Sequence, residues 1–165
     1  MTSLFCVSES GFHFSGEQTR NQRQAGQQHT GSPASLGSLR ELRRLGADSI
    51  AIMPFGFQRT PTDTAIVWTG NGGQWIAETD ERMRAVTRQG HQLGMSPMMK
   101  PHLWLRPPEW PGSIDHNTDR EWAEWFTSYR DFILHYARLS EELKIESLSI
   151  GRGRGSVADA ARVSP

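Results

Sequence analysis

Apolar positions in this chain fall into short solid runs separated by longer stretches in which they return every three or four residues. The first periodic stretch opens at Ser35. There Leu36, Leu39, Leu42 and Leu45 recur at near-helical spacing while Arg40, Glu41, Arg43 and Arg44 fill the other side, which predicts an amphipathic helix. Gly46 is suited to the left-handed turn that stops a helix, and Asp48-Ser49 leads into Ile50-Ala51-Ile52-Met53, a β-branched run that reads as a buried strand ended by Pro54. Asp80 is placed to cap a second helix, in which Met83, Val86, Gly90 and Leu93 share a face. Gly94 ends it, and Met95 to Met99 is a second apolar run bounded by Gly94 and Pro101.

Thr118-Asp119-Arg120-Glu121 reads as a capping box. Behind it Trp122, Trp125, Phe126, Tyr129, Phe132, Ile133 and Tyr136 form the strongest helical pattern in the chain, read as the face that packs on a sheet. Leu143 to Gly151 closes a third unit. The helix-to-strand junctions at Leu45-Gly46, Leu93-Gly94 and Leu143-Lys144 recur about every fifty residues, which suits an α/β architecture of repeated βα units with a parallel sheet. Right-handed crossovers then bring the long loops together at one end.

Those loops hold the candidate chemistry. Phe55 to Gln74 is read as one long loop carrying Arg59, Asp63, Trp68 and Asn71. After Met99 the apolar run turns abruptly into Lys100, His102 and Trp104, so that a core strand is expected to end there and a site to begin. An ammonium with three donors, an imidazole and a flat indole are the groups that grip a polyhydroxylated ring, and strand C-termini are where parallel α/β folds bind ligands. The same residues would serve equally as a loop lysine, a solvated histidine and a tryptophan capping the core. Right-handed crossovers would gather Asp63, Trp68, Lys100, Trp104 and Trp110 towards a common mouth. The loop from Arg106 to Asp115 is stiffened by Pro107, Pro108 and Pro111.

Composition narrows the partners. Among 165 residues, 18 Lys and Arg balance 18 Asp and Glu, which leaves no electrostatic footprint for nucleic acid or an anionic membrane. Of six tryptophans, Trp68, Trp75, Trp104, Trp110 and Trp122 lie in or beside loops, a bias that favours a flat, partly apolar ligand such as a carbohydrate. Cys6 is the only cysteine, which excludes an internal disulfide and a zinc site built on cysteine pairs. His13, His29, His91, His102, His116 and His135 lack ligand spacing such as His-Glu-x-x-His, so no metal and no cofactor is expected. Met1 to Val7 has no basic flank and too short an apolar run for a leader, so the chain as written reads as cytoplasmic.

Outside the periodic region, residues 1–30 are Gln-rich and aperiodic, with Thr2 to Val7 a candidate first strand that no crossover helix follows before Ser35. Residues 152–165, basic and rich in small side chains, read as a disordered tail. The folded domain is expected over 31–151.

Several motifs in order resemble glycoside hydrolase family 113: Gly31-Ser32-Pro33 leading to Ser38-Leu39-Arg40-Glu41-Leu42, Ile52-Met53-Pro54-Phe55-Gly56-Phe57, Glu78-Thr79-Asp80, Lys100-Pro101-His102-Leu103-Trp104, Trp110-Pro111-Gly112-Ser113-Ile114 and Trp125-Phe126-Thr127-Ser128-Tyr129. The resemblance implies a (β/α)8 TIM barrel, of which this chain would hold about three to four βα units. It also implies endo-β-1,4-mannanase activity by a retaining mechanism, in which one glutamate protonates the leaving oxygen and a second attacks the anomeric carbon. The family's acid/base glutamate maps through Ile150-Gly151-Arg152 onto Gly153, and its nucleophile belongs to a later strand. Glu78, Glu109, Glu121, Glu124, Glu141, Glu142 and Glu146 match neither position. The expectation is therefore a chain truncated or frameshifted after Gly151, without catalytic residues of its own, whose candidate substrate contacts are Lys100, His102, Trp104, Trp68, Trp110 and Asp63.

Two functions compete: an incomplete, inactive β-mannan hydrolase, and a half-barrel that binds oligosaccharide or polysaccharide without chemistry. Glycan binding without hydrolysis separates them. Half a barrel is also expected to self-associate through open sheet edges.

Overall fold

The computed structural model describes residues 4–7, as backbone, together with 30–71 and 79–151. The elements in these ranges are β1 (Leu4–Val7), α1 (Pro33–Arg44), β2 (Ser49–Ile52), β3 (Phe55–Gln58), α2 (Asp80–Gln92), β4 (Ser96–Met99), β5 (His102–Leu105), α3 (Asp119–Glu142) and β6 (Ser147–Leu148). Single 3-10 turns lie at Thr69–Asn71 and Pro111–Ser113.

Local chemistry explains the helix ends. α1 begins two residues before the expected start, because Ser32 accepts from the Ser35 N–H at 3.2 Å and Pro33 supplies a preset first helical residue. Thr79, not Asp80, caps α2: its hydroxyl accepts from the Arg82 N–H at 3.3 Å, and Asp80 becomes the first residue, facing the positive end of the helix dipole. The box on α3 forms as expected, with the Glu121 N–H on the Thr118 hydroxyl at 3.2 Å and the Thr118 N–H on the Glu121 carboxylate at 3.0 Å. Gly46 and Gly94 stop α1 and α2 at φ +96° and +66°, while Lys144 takes that role after α3 at φ +58°.

The main sheet has the order β1-β2-β4-β6, every neighbour parallel. Leu4–Val7, within the segment read as irregular, is its first strand, paired with Ser49–Ile52. The rest of 1–29 lies outside the described residues, as do Trp75, Glu78 and the segment 152–165, which includes Gly153.

Two further strands correct the sequence reading. Phe55–Gln58 does not open a long loop, and His102–Leu105 is not loop either; they form a parallel pair. The register shows why. Ser49 stands opposite Ser96 and Ile52 opposite Met99, while Phe55 stands opposite His102 and Gln58 opposite Leu105, each a separation of 47 residues. β2 and β3 are thus one strand interrupted at Pro54, and β4 and β5 one strand interrupted at Pro101, with the two prolines opposite each other. Backbone bonds from the Lys100 N–H to Ile52 and from the His102 N–H to Pro54, both 2.8 Å, carry the ladder through the gap. Proline lacks the donor for the intervening bond but keeps its carbonyl, so it interrupts the ladder without breaking the pairing.

The helices cover one side of this sheet. A methyl group on Gly90 of α2 would fall 3.0 Å from Ile50, and one on Gly56 would fall 3.0 Å from the Phe132 ring of α3. Even-numbered positions of β2 and β3 therefore face the helices. On that side Ile50, Ile52, Met83, Val86, Met99, Leu105, Trp125, Phe132, Tyr136 and Leu139 make the core. Burying side chains such as Phe132 and Leu139 contributes about 1.5–3 kcal/mol each. The aromatic stripe of α3 is core, with Trp125 and Tyr129 stacked at 5.1 Å and Phe132 edge-on to Tyr136 at 5.4 Å. Among the described residues no helix is long and apolar enough to cross a membrane.

Candidate functional site

Strand alternation turns the odd-numbered residues of β2 and β3, and the even-numbered residues of β4 and β5, away from the helices. Met98, Lys100, His102 and Trp104 thus share one face with Ala51, Met53, Phe55 and Phe57. In β4 the helix-side Pro97 and Met99 are buried and Met98 is half-buried; in β5 Leu105 is buried while His102, Leu103 and Trp104 are half-buried, as is Lys100 between the two strands.

At the C-terminal ends of the strands this face becomes a plate of four rings. His102 meets Phe55 edge-on at 5.4 Å, Trp104 meets Phe57 at 5.4 Å and 65°, and Phe55 lies 6.2 Å from Phe57. The first two are in-register cross-strand pairs, the unit through which neighbouring strands stabilise each other. Lys100 precedes the plate at the point where the prolines interrupt the ladder. On its other flank the Ser149 N–H donates to Met99 at 2.9 Å, which carries the third strand up beside Lys100. The Tyr129 hydroxyl fixes that end by donating to the Ile150 carbonyl at 2.8 Å, and burial raises the Tyr129 pKa above its ordinary 10.0.

The remaining sequence candidates are placed differently. Trp68 lies on the helix side, 6% exposed, with its ring 5.5 Å from Phe132; it is a core residue rather than part of the mouth. Its burial follows from the backbone exchange between Phe57 and Val67, which folds the segment after β3 back over the outer side of the sheet. Asp63 sits in the turn after β3, its carboxylate 3.6 Å from Arg59. Trp110 follows β5 on the turn Pro111–Ser113, 63% exposed, its ring lying over Gly112 where a Cβ would have no room. The two loops touch where the Asp115 N–H donates to the Pro61 carbonyl at 3.2 Å.

Phe55 and Phe57 were not singled out as site residues. The available signal is a pair of rings two residues apart, Phe55 and Phe57, repeated 47 residues on by His102 and Trp104. A groove of about 600 Å³ also lies along the flank of α3, bounded by Thr64, Ala65, Trp68, Arg120 and Thr127, on the side away from the ring plate. No set of three His, Cys, Asp or Glu among the described residues is grouped to hold a metal. The described residues of the plate's face include neither Asp nor Glu; its rings can stack on a flat partner, and Lys100 and His102 can hydrogen-bond to hydroxyls.

No curated protein matches the chain significantly. Among solved structures, the β-mannanase AaManA from Alicyclobacillus acidocaldarius, in complex with ManMIm, is similar at TM-score 0.68 and 24% identity over 91% of this chain and 43% of its own. Two structures of a family 113 β-1,4-mannanase, one of them a complex, match at TM-scores of 0.59 and 0.60 and 21% and 22% identity. Each match covers 70% of this chain and 38% of the enzyme. This chain therefore spans about two-fifths of the length of these enzymes, and its parallel strands and covering helices are part of a (β/α)8 barrel. Since residues 22–156, most of the sequence, match the glycoside hydrolase family 113 pattern, the chain belongs to that family.

Proposed function

We propose that the chain forms one wall of a β-mannan-binding cleft and, by itself, binds the glycan without hydrolysing it. The observation that carries this reading is the half-buried row Lys100, His102 and Trp104, backed by Phe55 and Phe57, at the C-terminal end of the strands. Trp104 offers an apolar ring against which the C–H face of a sugar stacks, while Lys100 and His102 supply hydrogen bonds to its hydroxyls. Trp110 and Asp63, on the adjoining loops, extend the contact. Trp68 is excluded by its burial.

The family's retaining mechanism needs two carboxyls about 5 Å apart. By the motif resemblance Gly153 falls where the family carries its acid/base glutamate, and the described part of the plate's face includes no acid. Ancestry as a mannan hydrolase and binding without turnover are thus compatible. Taken alone, the chain is further expected to self-associate through its terminal strands, which sedimentation velocity reads directly.

The test is calorimetric titration of the purified chain with mannohexaose, beside reducing-sugar release from mannan. Binding that Trp104→Ala weakens, without sugar release, is the expected result. Absence of any binding to mannohexaose, or release of sugar that scales with chain concentration, overturns the reading.

A further inference from the structure

Gln58 is the last residue of β3 and is 1% exposed. Its carboxamide turns to the helix side, where every group on it is used. The oxygen accepts from the indole N–H of Trp125 at 2.8 Å. The nitrogen donates to the carbonyl of Thr60 at 2.9 Å and to that of Pro61 at 3.2 Å. Both carbonyls also serve other partners: Thr60 accepts from the Asp63 N–H at 3.2 Å, and Pro61 accepts from the Asp115 N–H at 3.2 Å.

One buried amide thus bonds two separate stretches of chain, the second turn of α3 and the turn after β3, and is linked to a third, the loop after β5, through the shared Pro61 carbonyl. A hydrocarbon of the same size would fill the space but could hold none of them, and a buried polar group is tolerated only when its bonds are made. Both joined loops leave the C-terminal ends of parallel strands, where barrel enzymes assemble their ligand contacts. The turn after β3 carries Asp63, and the loop after β5 carries Trp110.

We infer that Gln58 is a positioning residue that locks the two loops to each other and to α3, so that Asp63 and Trp110 are held as a unit beside the C-terminal ends of β3 and β5. The inference rests on the proposed glycan-binding reading for its purpose, but the lock itself is a property of the fold. Gln58 acts through Pro61 and Trp125 and does not touch the ligand.

Hydrogen exchange of the full chain tests it, read at two pairs of amides. Asp63 and Asp115 report the lock, and Lys100 and His102, bonded to Ile52 and Pro54, report the sheet. In Gln58→Met, Asp63 and Asp115 should exchange at least about tenfold faster, while Lys100 and His102 change by less than about twofold, the pattern of local rather than global opening. Gln58→Glu keeps the acceptor for Trp125 but, ionised, loses both donors, and should give the same selective release; it serves in place of the methionine variant if that chain does not fold. Both variants should weaken mannohexaose binding. Unchanged protection at Asp115, acceleration of all four amides together, or release of the loops with unaltered glycan affinity would each overturn the inference. A wild-type chain that binds no mannohexaose instead defeats the functional reading and leaves the exchange pattern to judge the lock.

Discussion

The phenol of Tyr129 donates a 2.8 Å hydrogen bond to the carbonyl of Ile150, so the midpoint of α3 secures the chain just beyond β6. Tyr129→Phe keeps the ring stack on Trp125 and removes this bond, at an expected cost of about 1 kcal/mol at neutral pH, measured by urea denaturation. Burial raises the folded-state pKa of Tyr129 above 10.0, so the stability linked to it is fully present below that value and is lost as pH rises through the folded pKa. The variant should therefore lose less stability than wild type between neutral and strongly alkaline pH. Parallel losses in the two proteins would contradict this.

Trp104→Ala should reduce affinity for mannohexaose by about tenfold or more, a loss of about 1.4 kcal/mol, because the stacking ring goes and Phe57 loses its edge-on partner. Trp68→Phe, a change on the helix side, should leave affinity within about twofold while lowering the melting temperature. Reversal of these two outcomes in calorimetric titration would place the sugar elsewhere.

The Arg84 guanidinium bonds both oxygens of Glu142, at 2.9 and 2.8 Å, joining α2 to the end of α3. This hydrogen bonding holds the Glu142 carboxyl below its ordinary 4.5, while charge and hydrogen bonding to Glu142 raise Arg84. For a depressed carboxyl, the stabilising contribution is present above the unfolded value and disappears as pH falls through the folded one. Glu142→Gln should thus destabilise slightly at neutral pH and converge on wild type in acid. The pair is exposed, so the difference is small and salt-sensitive. Thermal melts from pH 7 downward check the convergence.

His116 is 7% exposed, edge-on to Trp122 at 4.7 Å, and neither ring nitrogen has a hydrogen-bond partner among the described residues. Replacing a buried, unsatisfied ring by an apolar one of similar shape removes a desolvation cost, so His116→Phe should add about 1 kcal/mol or less of stability, read as a raised denaturation midpoint. A lowered midpoint would show that the imidazole is satisfied in solution.

Much of the helical frame was legible because its signals are local. The Thr118 to Glu121 box, the glycines at 46 and 94 and the aromatic stripe on α3 each act within a few residues, and all three took the expected form. The strands beyond Pro54 and Pro101 were hidden by a rule about proline that is sound within a single strand. It fails here because the residue opposite is also proline and the flanking bonds from Lys100 and His102 hold the register. The position of Lys100, His102 and Trp104 at strand ends was visible as a switch from apolar to polar residues. That all three share the open face of the sheet depended on pairing at a distance. Trp68 was misplaced for a related reason: the loop that carries it returns to Phe57 through backbone bonds, which leave no trace in side-chain pattern.

The constant 47-residue separation across the two prolines has an evolutionary corollary. An insertion or deletion in the connection between Trp68 and α2 leaves the strands on either side free to keep their pairing. One residue added at Met53 or at Lys100 would instead invert everything above it, sending two of the four rings into the helix layer and bringing their strand neighbours to the open side. Length variation among relatives should therefore accumulate freely in the connections and be absent from the few residues around Pro54 and Pro101.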